Sequence, residues 1–147
     1  MIKSISKEDL NQMLTIEKEN FEHYWNYKTL YFEVIENQRS HYFGYYKDKE
    51  LLAYIGIVDL VDNIDIVNIA VKGEFKRRGL AIALFQHVFT FARKNNFDKI
   101  TLEVNTNNLA AINLYKKIGF KKLKKIKNYY QKSNDDAYLM QKEVEDE

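Results

Sequence analysis

The chain has 147 residues and a formal net charge of +2, and hydrophobic and charged residues make up 46% and 30% of it. This balance indicates one globular domain, 1–147, and so small a charge does not require a nucleic-acid partner. Since there is no Cys, disulfides, thiolate metal sites and cysteine nucleophiles are excluded. We find no membrane-spanning run and no signal-peptide pattern, so we predict a cytoplasmic protein.

The hydrophobic pattern predicts a mixed α/β fold in the order βααβββαβαββ, with a central sheet covered by helices. The predicted helices run from Ser6 to about Asn20, from Asn26 to about Ile35, from Gly79 to about Lys94, and from Asn108 to Ile118. The predicted strands cover 2–5, 42–46, 51–60, 64–71, 99–104, 120–130 and 137–144. The acidic end of the chain, through Glu147, is expected to be frayed.

A basic loop joins the strand 64–71 to the helix that follows it. The loop ends in Lys76-Arg77-Arg78-Gly79, and the helix begins at once with Leu80. The first N–H groups of a helix lack partners inside it, and its dipole favours negative charge there. The pattern is therefore typical of an anion site, although a loop that only faces water would look the same. It is neither a P-loop nor a three-glycine dinucleotide motif.

Three residues farther along could carry chemistry, and each also has a purely structural interpretation. Glu103 lies on the polar face of its strand, where it is either a solvated carboxylate or a general base. Tyr115 shares a helical stripe with apolar residues, so it is either a core tyrosine or a proton donor. Asn108 opens the same helix and is a candidate N-cap.

The next stretch is basic and then aromatic. The lysines between Lys116 and Lys127 form either a solvated face or a surface for a phosphate-rich partner. Tyr129 and Tyr130 are adjacent on a predicted strand, so we expect them to point to opposite faces. The three histidines have no carboxylate at ligand spacing, and we predict no metal.

Three motifs together resemble the GNAT superfamily of acyl-CoA-dependent N-acetyltransferases. They are LEV at 102–104, the helical segment NLAAINLYKKIGF at 108–120, and NYY at 128–130 followed by DAYLM at 136–140. Within the superfamily, the chain is similar to the RimI branch, which acetylates the N-terminal alanine of a small-subunit ribosomal protein. The resemblance covers about 51–141 well and 8–32 loosely.

The resemblance implies a GNAT fold, a mostly antiparallel twisted sheet of about seven strands flanked by about four helices, filling one domain. It implies acetyl-CoA as co-substrate, with Glu103 as base and Tyr115 as acid. The implied acetyl-CoA contacts are Ile69, Ala70, Val71, Lys76, Arg77, Arg78, Gly79, Leu80, Ala81, Ile82, Asn108 and Tyr115. An aromatic group that includes Trp25, Tyr129 and Tyr130 suits a peptide acceptor.

The chain departs from the family pattern at a few positions. Lys76 stands where Gln or Arg is usual, Ala81 replaces the last loop glycine, and Asn105 follows LEV in place of Arg. An early Pro-Trp pair becomes Tyr24-Trp25.

Without a cysteine, direct attack of an amine on the thioester is the simpler route, and the developing oxyanion would meet a backbone N–H near Ile69 or Ala70. A protein α-amine, as in a ribosomal protein, is the predicted acceptor. The alternatives are a small-molecule amine, such as an antibiotic or polyamine, and a non-catalytic module that binds RNA or ribosomes. We expect no membrane partner and no specific nucleic acid, and we favour a monomer.

Overall fold

The structure, a computed structural model, describes residues 1–145; Asp146 and Glu147, which end the predicted frayed tail, lie outside the described residues. Residues 1–145 form one seven-stranded sheet in the order β1-β2-β3-β4-β5-β7-β6. The strands are β1 Ile2–Ser4, β2 Ser40–Lys47, β3 Glu50–Asp59, β4 Asn63–Val71, β5 Lys99–Asn105, β6 Lys121–Tyr130 and β7 Asp135–Glu143. The helices are α1 Leu10–Asn20, α2 Tyr27–Tyr31, α3 Leu80–Lys94 and α4 Leu109–Lys117. The predicted order and fold class are confirmed.

The second predicted helix is shorter than expected. It begins as predicted after Asn26, whose side chain accepts a hydrogen bond from the Thr29 N–H at 2.9 Å. However, α2 ends at Tyr31, and Phe32–Glu36 continue as a π-helical turn. Apolar periodicity does not distinguish the wider π turn from an α-helix over so few residues.

Two hydrophobic cores cover the two faces of the sheet. The larger core packs α3 and α4 against the sheet, and its fully buried residues include Ile55, Phe85 and Phe120. The smaller core packs α1 and α2 against the other face through residues such as Leu10 and Leu30. Each helix therefore buries one apolar stripe and fixes which strand residues remain available at the centre.

The centre of the sheet opens where β4 and β5 separate. These strands pair in parallel only from Asn63 opposite Lys99 to Ile66 opposite Leu102. Farther on, within residues 1–145, β4 continues along β3 alone and β5 along β7 alone. The register of β4 also shifts at Val67, which is an extra residue between two regularly paired segments. Within the described residues, the end of β4 therefore pairs with a strand along one main-chain edge only, and its other edge is open.

The expectation that Tyr129 and Tyr130 point to opposite faces is wrong. Their ring centroids lie 5.0 Å apart in an edge-to-face arrangement, so the two side chains are on the same side. The reason is an irregular register between Ile126 and Tyr130, where Asn128 adopts a left-handed φ of 53°. Strict alternation holds only for a regular strand, and the bulge breaks it.

Candidate active site

A cavity of about 460 Å³ lies between the end of β4 and the start of α3. We call it the β4–α3 cavity. One wall is the edge of β4 that β5 leaves unpaired, and α4 contributes part of the opposite wall. Its lining residues are Asn20, Ile69, Ala70, Val71, Phe75, Lys76, Arg77, Gly79, Leu80, Ala81, Ile82, Ala111, Leu114 and Tyr115. The structure thus brings together ten of the twelve residues that the sequence predicts for acetyl-CoA.

The main chain at the mouth of α3 has the form of an anion cradle. Gly79 precedes the helix with a left-handed φ of 79°, and among the described residues no side chain caps α3. The early N–H groups of the helix are therefore left for a ligand or solvent. Arg77 also adopts a left-handed φ of 64°, an uncommon conformation for a non-glycine residue. Uncapped N–H groups, flanking positive charge and an adjoining apolar cavity fit the phosphates and the arm of a CoA molecule.

The other two predicted acetyl-CoA residues lie outside the cavity lining. The Arg78 guanidinium lies 5.4 Å from the centre of the Phe75 ring. The Asn108 side chain accepts a hydrogen bond from the Ala111 N–H at 3.2 Å and so caps α4. Their contacts with acetyl-CoA stay predictions, while the N-cap interpretation of Asn108 is confirmed.

Glu103 forms a hydrogen-bonded pair with Asp65, and we call these two side chains the carboxyl pair. Both are half-buried, and they lie on neighbouring strands at the point where β4 and β5 separate. Burial, then the charge and hydrogen bond of Asp65, raise the pKa of Glu103 to about 7. Burial also raises the pKa of Asp65, against the opposing effect of hydrogen bonds from Thr101, at 2.7 Å, and from Glu103. Glu103 is therefore not a freely solvated carboxylate.

Tyr115 belongs to both the core and the cavity. Its ring packs edge-to-face against Phe85 and Phe120, with centroids 5.6 and 6.1 Å away, and it also lines the β4–α3 cavity. Burial raises the pKa of its phenol, which therefore keeps its proton at neutral pH. The two interpretations of this residue are compatible, because the ring packs while the hydroxyl end remains available.

The three aromatic residues predicted to bind the acceptor do not lie together in the structure. Burial first, and then the charge of Glu103 and of Asp65, raise the pKa of Tyr129. Burial, and then nearby charges that include Glu103, raise the pKa of Tyr130 to about 12. Trp25 instead packs, half-buried, against the α1–α2 core. The two tyrosines thus lie near Glu103, whereas Trp25 belongs to the core on the α1–α2 face of the sheet.

Asp65 is the main residue that the sequence interpretation missed. A weak signal exists in the alternation of Asp65 with Ile64 and Ile66. The two isoleucines face the core, so Asp65 lies on the polar face of its strand, as Glu103 does on the next. Its partner could not be identified, since the pairing of β4 with β5 joins residues 36 positions apart along the chain, as Asp65 opposite Thr101 shows, and Glu103 lies two residues beyond Thr101. Asn20, Phe75, Ala111 and Leu114 are further cavity residues without a sequence signal.

Across residues 1–145, no three His, Asp or Glu side chains cluster closely enough to hold a metal ion. In the same residues, no helix has the length and hydrophobicity to cross a membrane.

Comparison with known proteins identifies the family. The sequence profile of the Acetyltransferase (GNAT) family matches residues 8–120. A Bacillus subtilis protein named putative ribosomal protein bS18-alanine N-acetyltransferase is 32% identical over 95% of this chain and 92% of its own length. The crystal structure of the ribosomal-protein-S18-alanine N-acetyltransferase from Escherichia coli matches with a TM-score of 0.89 and 28% identity, over 100% of this chain and 95% of that one.

Acetyltransferases that are named for a different acceptor share the same fold. Spermidine N-acetyltransferase SpeG from Vibrio cholerae, as an F149A mutant, matches with a TM-score of 0.83 at 18% identity, covering 98% of this chain and 95% of that one. The GNAT profile and the 32% identical relative nevertheless leave no ambiguity about the family. The chain belongs to the GNAT family of acetyltransferases.

Proposed function

We propose that the protein transfers the acetyl group of acetyl-CoA to the N-terminal α-amine of a protein, and that alanine is the favoured first residue. The carboxyl pair carries the proposal, because it supplies a base suited to an α-amine beside a cavity suited to CoA. The names of the Bacillus and Escherichia relatives, bS18- and S18-alanine N-acetyltransferase, support a ribosomal protein as the acceptor.

The pKa of Glu103 favours an α-amine over a lysine side chain. An amine must lose its proton before it can attack. Moving that proton to a base of pKa about 7 costs about 1 kcal/mol from an α-ammonium of pKa about 7.7–8.0, and about 5 kcal/mol from a Lys ammonium of pKa about 10.4. A base with a pKa near the operating pH is also the one that general base catalysis requires.

Each group has a separate role in the proposed reaction. Acetyl-CoA supplies an activated acyl group, which the cavity holds through β4 and the start of α3. Glu103 accepts the proton from the amine, directly or through one water, and the neutral amine attacks the acyl carbon. A main-chain N–H group at the end of β4, near Ile69 or Ala70, is suited to the oxygen that becomes negative. Tyr115 donates its proton to the leaving sulfur, so CoA departs as the thiol.

A polyamine is the second candidate acceptor, and the carboxyl pair is the observation that favours it. Two neighbouring carboxyl groups attract a polycation. However, the raised pKa of Glu103 means that the pair shares a proton near neutral pH and carries less than its full charge. Tyr129 and Tyr130 also provide an aromatic surface beside the pair, which suits a peptide chain.

A competition between acceptors tests the proposal. The protein would be incubated with acetyl-CoA and an alanine-starting peptide, the same peptide blocked at its N-terminus but with an internal Lys, or spermidine. We expect acetylation of the free peptide alone, by mass spectrometry, with first residues other than alanine slower. A higher kcat/KM for spermidine would overturn the peptide assignment in favour of a polyamine, and equal acetylation of the blocked peptide would overturn the preference for an α-amine.

A further inference from the structure

The α1 helix contains a buried acidic residue that the proposed mechanism does not use. Glu17 is only 2% exposed, and within residues 1–145 it is the one carboxyl group that is fully buried. Burying a carboxylate costs several kcal/mol unless hydrogen bonds compensate for the lost water. The hydrogen bonds that Glu17 makes therefore decide what this buried group does in the fold.

The hydrogen bonds of Glu17 end on two strands of the sheet. The Tyr54 hydroxyl, from β3, and the Asn68 side-chain amide, from β4, both donate to the same Glu17 oxygen. The Asn68 amide nitrogen lies 2.5 Å from that oxygen. Glu17 thus ties α1 to the centre of the sheet.

Asn68 lies at the irregularity of β4. Asn68 is opposite Gly56 on β3, while Ile66 is opposite Ile57, so Val67 has no regular partner. At such a bulge, the main chain turns and the direction of its N–H groups changes. The hydrogen bond between Asn68 and Glu17 therefore holds the residue at which the unpaired segment of β4 begins.

A second contact from α1 holds the other end of that segment. The Asn20 side chain donates to the Val71 carbonyl at 3.1 Å while it also bonds the Ile16 carbonyl of its own helix at 2.9 Å. Ile69 and Ala70 lie between the two contacts and line the β4–α3 cavity. Residues 68–71 are thus held by hydrogen bonds from α1 at both ends.

We infer that Glu17 is a positioning residue for acetyl transfer, because through Asn68 it aims the main-chain N–H group of Ile69 into the cavity. The N–H group of Ala70 instead points to β3, as that of Lys72 does in its hydrogen bond to the Leu52 carbonyl. The inference rests on the proposed function, in which a main-chain N–H group at this position stabilises the negative oxygen of the transition state. Such donors act only when they are held in place beforehand, and a misplacement of about 1 Å can cost about 100-fold in rate. Glu17 itself touches no reacting atom.

The two donors to Glu17 provide a matched pair of variants. Asn68→Ala removes the contact at the bulge, whereas Tyr54→Phe removes the other hydrogen bond to the same oxygen and leaves β4 attached. Each variant loses one hydrogen bond to the buried Glu17 carboxyl group. We expect Asn68→Ala to lower kcat about 10- to 100-fold, with CoA affinity within about threefold of wild type, and Tyr54→Phe to keep kcat within about threefold.

A double-mutant cycle with Glu17→Leu separates positioning from direct contact of Asn68 with the acceptor. If Glu17 acts through Asn68, Glu17→Leu alone lowers kcat about as much as Asn68→Ala, and the double variant loses little more. If Asn68 contacts the acceptor directly, Glu17→Leu leaves kcat near the Tyr54→Phe value. That result would overturn the inference, as would equal losses of kcat and CoA affinity in Asn68→Ala.

Amide hydrogen exchange provides a readout that does not depend on the acceptor. We expect Asn68→Ala and Glu17→Leu to speed exchange in residues 68–71 at least about 10-fold, and Tyr54→Phe to leave it near the wild-type rate. Unchanged exchange in all three variants would overturn the positioning role even if the wild type acetylates peptides. Conversely, faster exchange in a protein that acetylates no N-terminus would support the contact from α1 and refute only the proposed acceptor.

Discussion

The β4–α3 cavity and the carboxyl pair both lie where β4 and β5 separate, and they are built differently. The cavity is lined largely by consecutive chain, residues 69–71 and then the loop and first turn of α3 through Ile82. The anion cradle at its end consists of the first main-chain N–H groups of α3, which no described side chain caps. The carboxyl pair consists of two side chains from strands that meet only in the folded sheet.

This difference predicts how each region responds to substitution. A site made of main chain tolerates many side chains and fails where the backbone needs a particular φ. A site made of two interacting carboxyl groups changes its protonation whenever either is replaced. The predictions below test both halves of the comparison.

The largest effect on CoA affinity is expected for Gly79→Val. At a φ of 79°, a β-branched residue is strained, although a Cβ would meet no other atom within 4 Å. The start of α3 should therefore rearrange and lose its anion cradle, and the affinity for CoA should fall by at least about 100-fold, which is about 2.8 kcal/mol. Isothermal titration calorimetry with CoA measures it.

Gly73→Val is the matched control for that variant. Gly73 lies six residues earlier in the same connection, has equally open surroundings and has no left-handed φ. Its CoA affinity should stay within about threefold of wild type, since β-branched residues adopt its conformation without strain. Normal CoA affinity in Gly79→Val would instead show that the cradle is not the phosphate site.

Glu103→Gln should lower the rate by about 100- to 10,000-fold at neutral pH, the range for loss of a general base. The side chain keeps its size but cannot accept the amine's proton. The loss should shrink above pH of about 8, where an α-amine is already mostly neutral. The measurement is the ratio of wild-type to variant rates on an alanine-starting peptide between about pH 6.5 and 9.5.

Glu143→Gln serves as the control for the base. It makes the same change on an exposed residue of β7 and should leave the rate unchanged at every pH. A ratio near one across the pH range for Glu103→Gln would place the base elsewhere.

Tyr115→Phe should lower turnover by about 10- to 1000-fold, as expected for a lost proton donor. The phenyl ring keeps its packing on Phe85 and Phe120, so stability and CoA affinity should remain near wild type. Single-turnover kinetics and thermal unfolding together measure the effect. Unchanged turnover would leave Tyr115 as a core residue alone.

The same comparison explains what the sequence could predict. The cavity was predictable because its residues are close along the chain: an apolar strand, a basic loop with Gly79 and an amphipathic helix are local signals. The order of strands and helices was also predictable, since each has its own periodicity. The family motifs then supplied the roles of Glu103 and Tyr115, which local spacing left open.

The missed features depend on interactions between distant segments. In the sequence, Asp65 cannot be distinguished from other polar strand residues, and only the pairing of β4 with β5 brings it next to Glu103. The raised pKa of Glu103 follows from burial and from that neighbour, and neither is visible in the motif around it. The contact of Tyr129 with Tyr130 likewise depends on a bulge that alternation cannot predict.

The smallest effect is expected for Asp65→Asn, which tests the interaction within the carboxyl pair. Removing the Asp65 charge leaves burial as the main influence on Glu103, so the pKa of Glu103 should fall from about 7 part of the way to its ordinary value of 4.5. The acidic limb of kcat/KM should therefore move to lower pH, while the plateau falls about two- to tenfold because the base is weaker. The ratio of variant to wild-type rates should rise steadily as the pH falls from about 8 to 5.5. Asp62→Asn, the same change in the exposed turn before β4, should leave the profile unmoved, and a ratio for Asp65→Asn that does not vary with pH would mean that Asp65 does not control the protonation of Glu103.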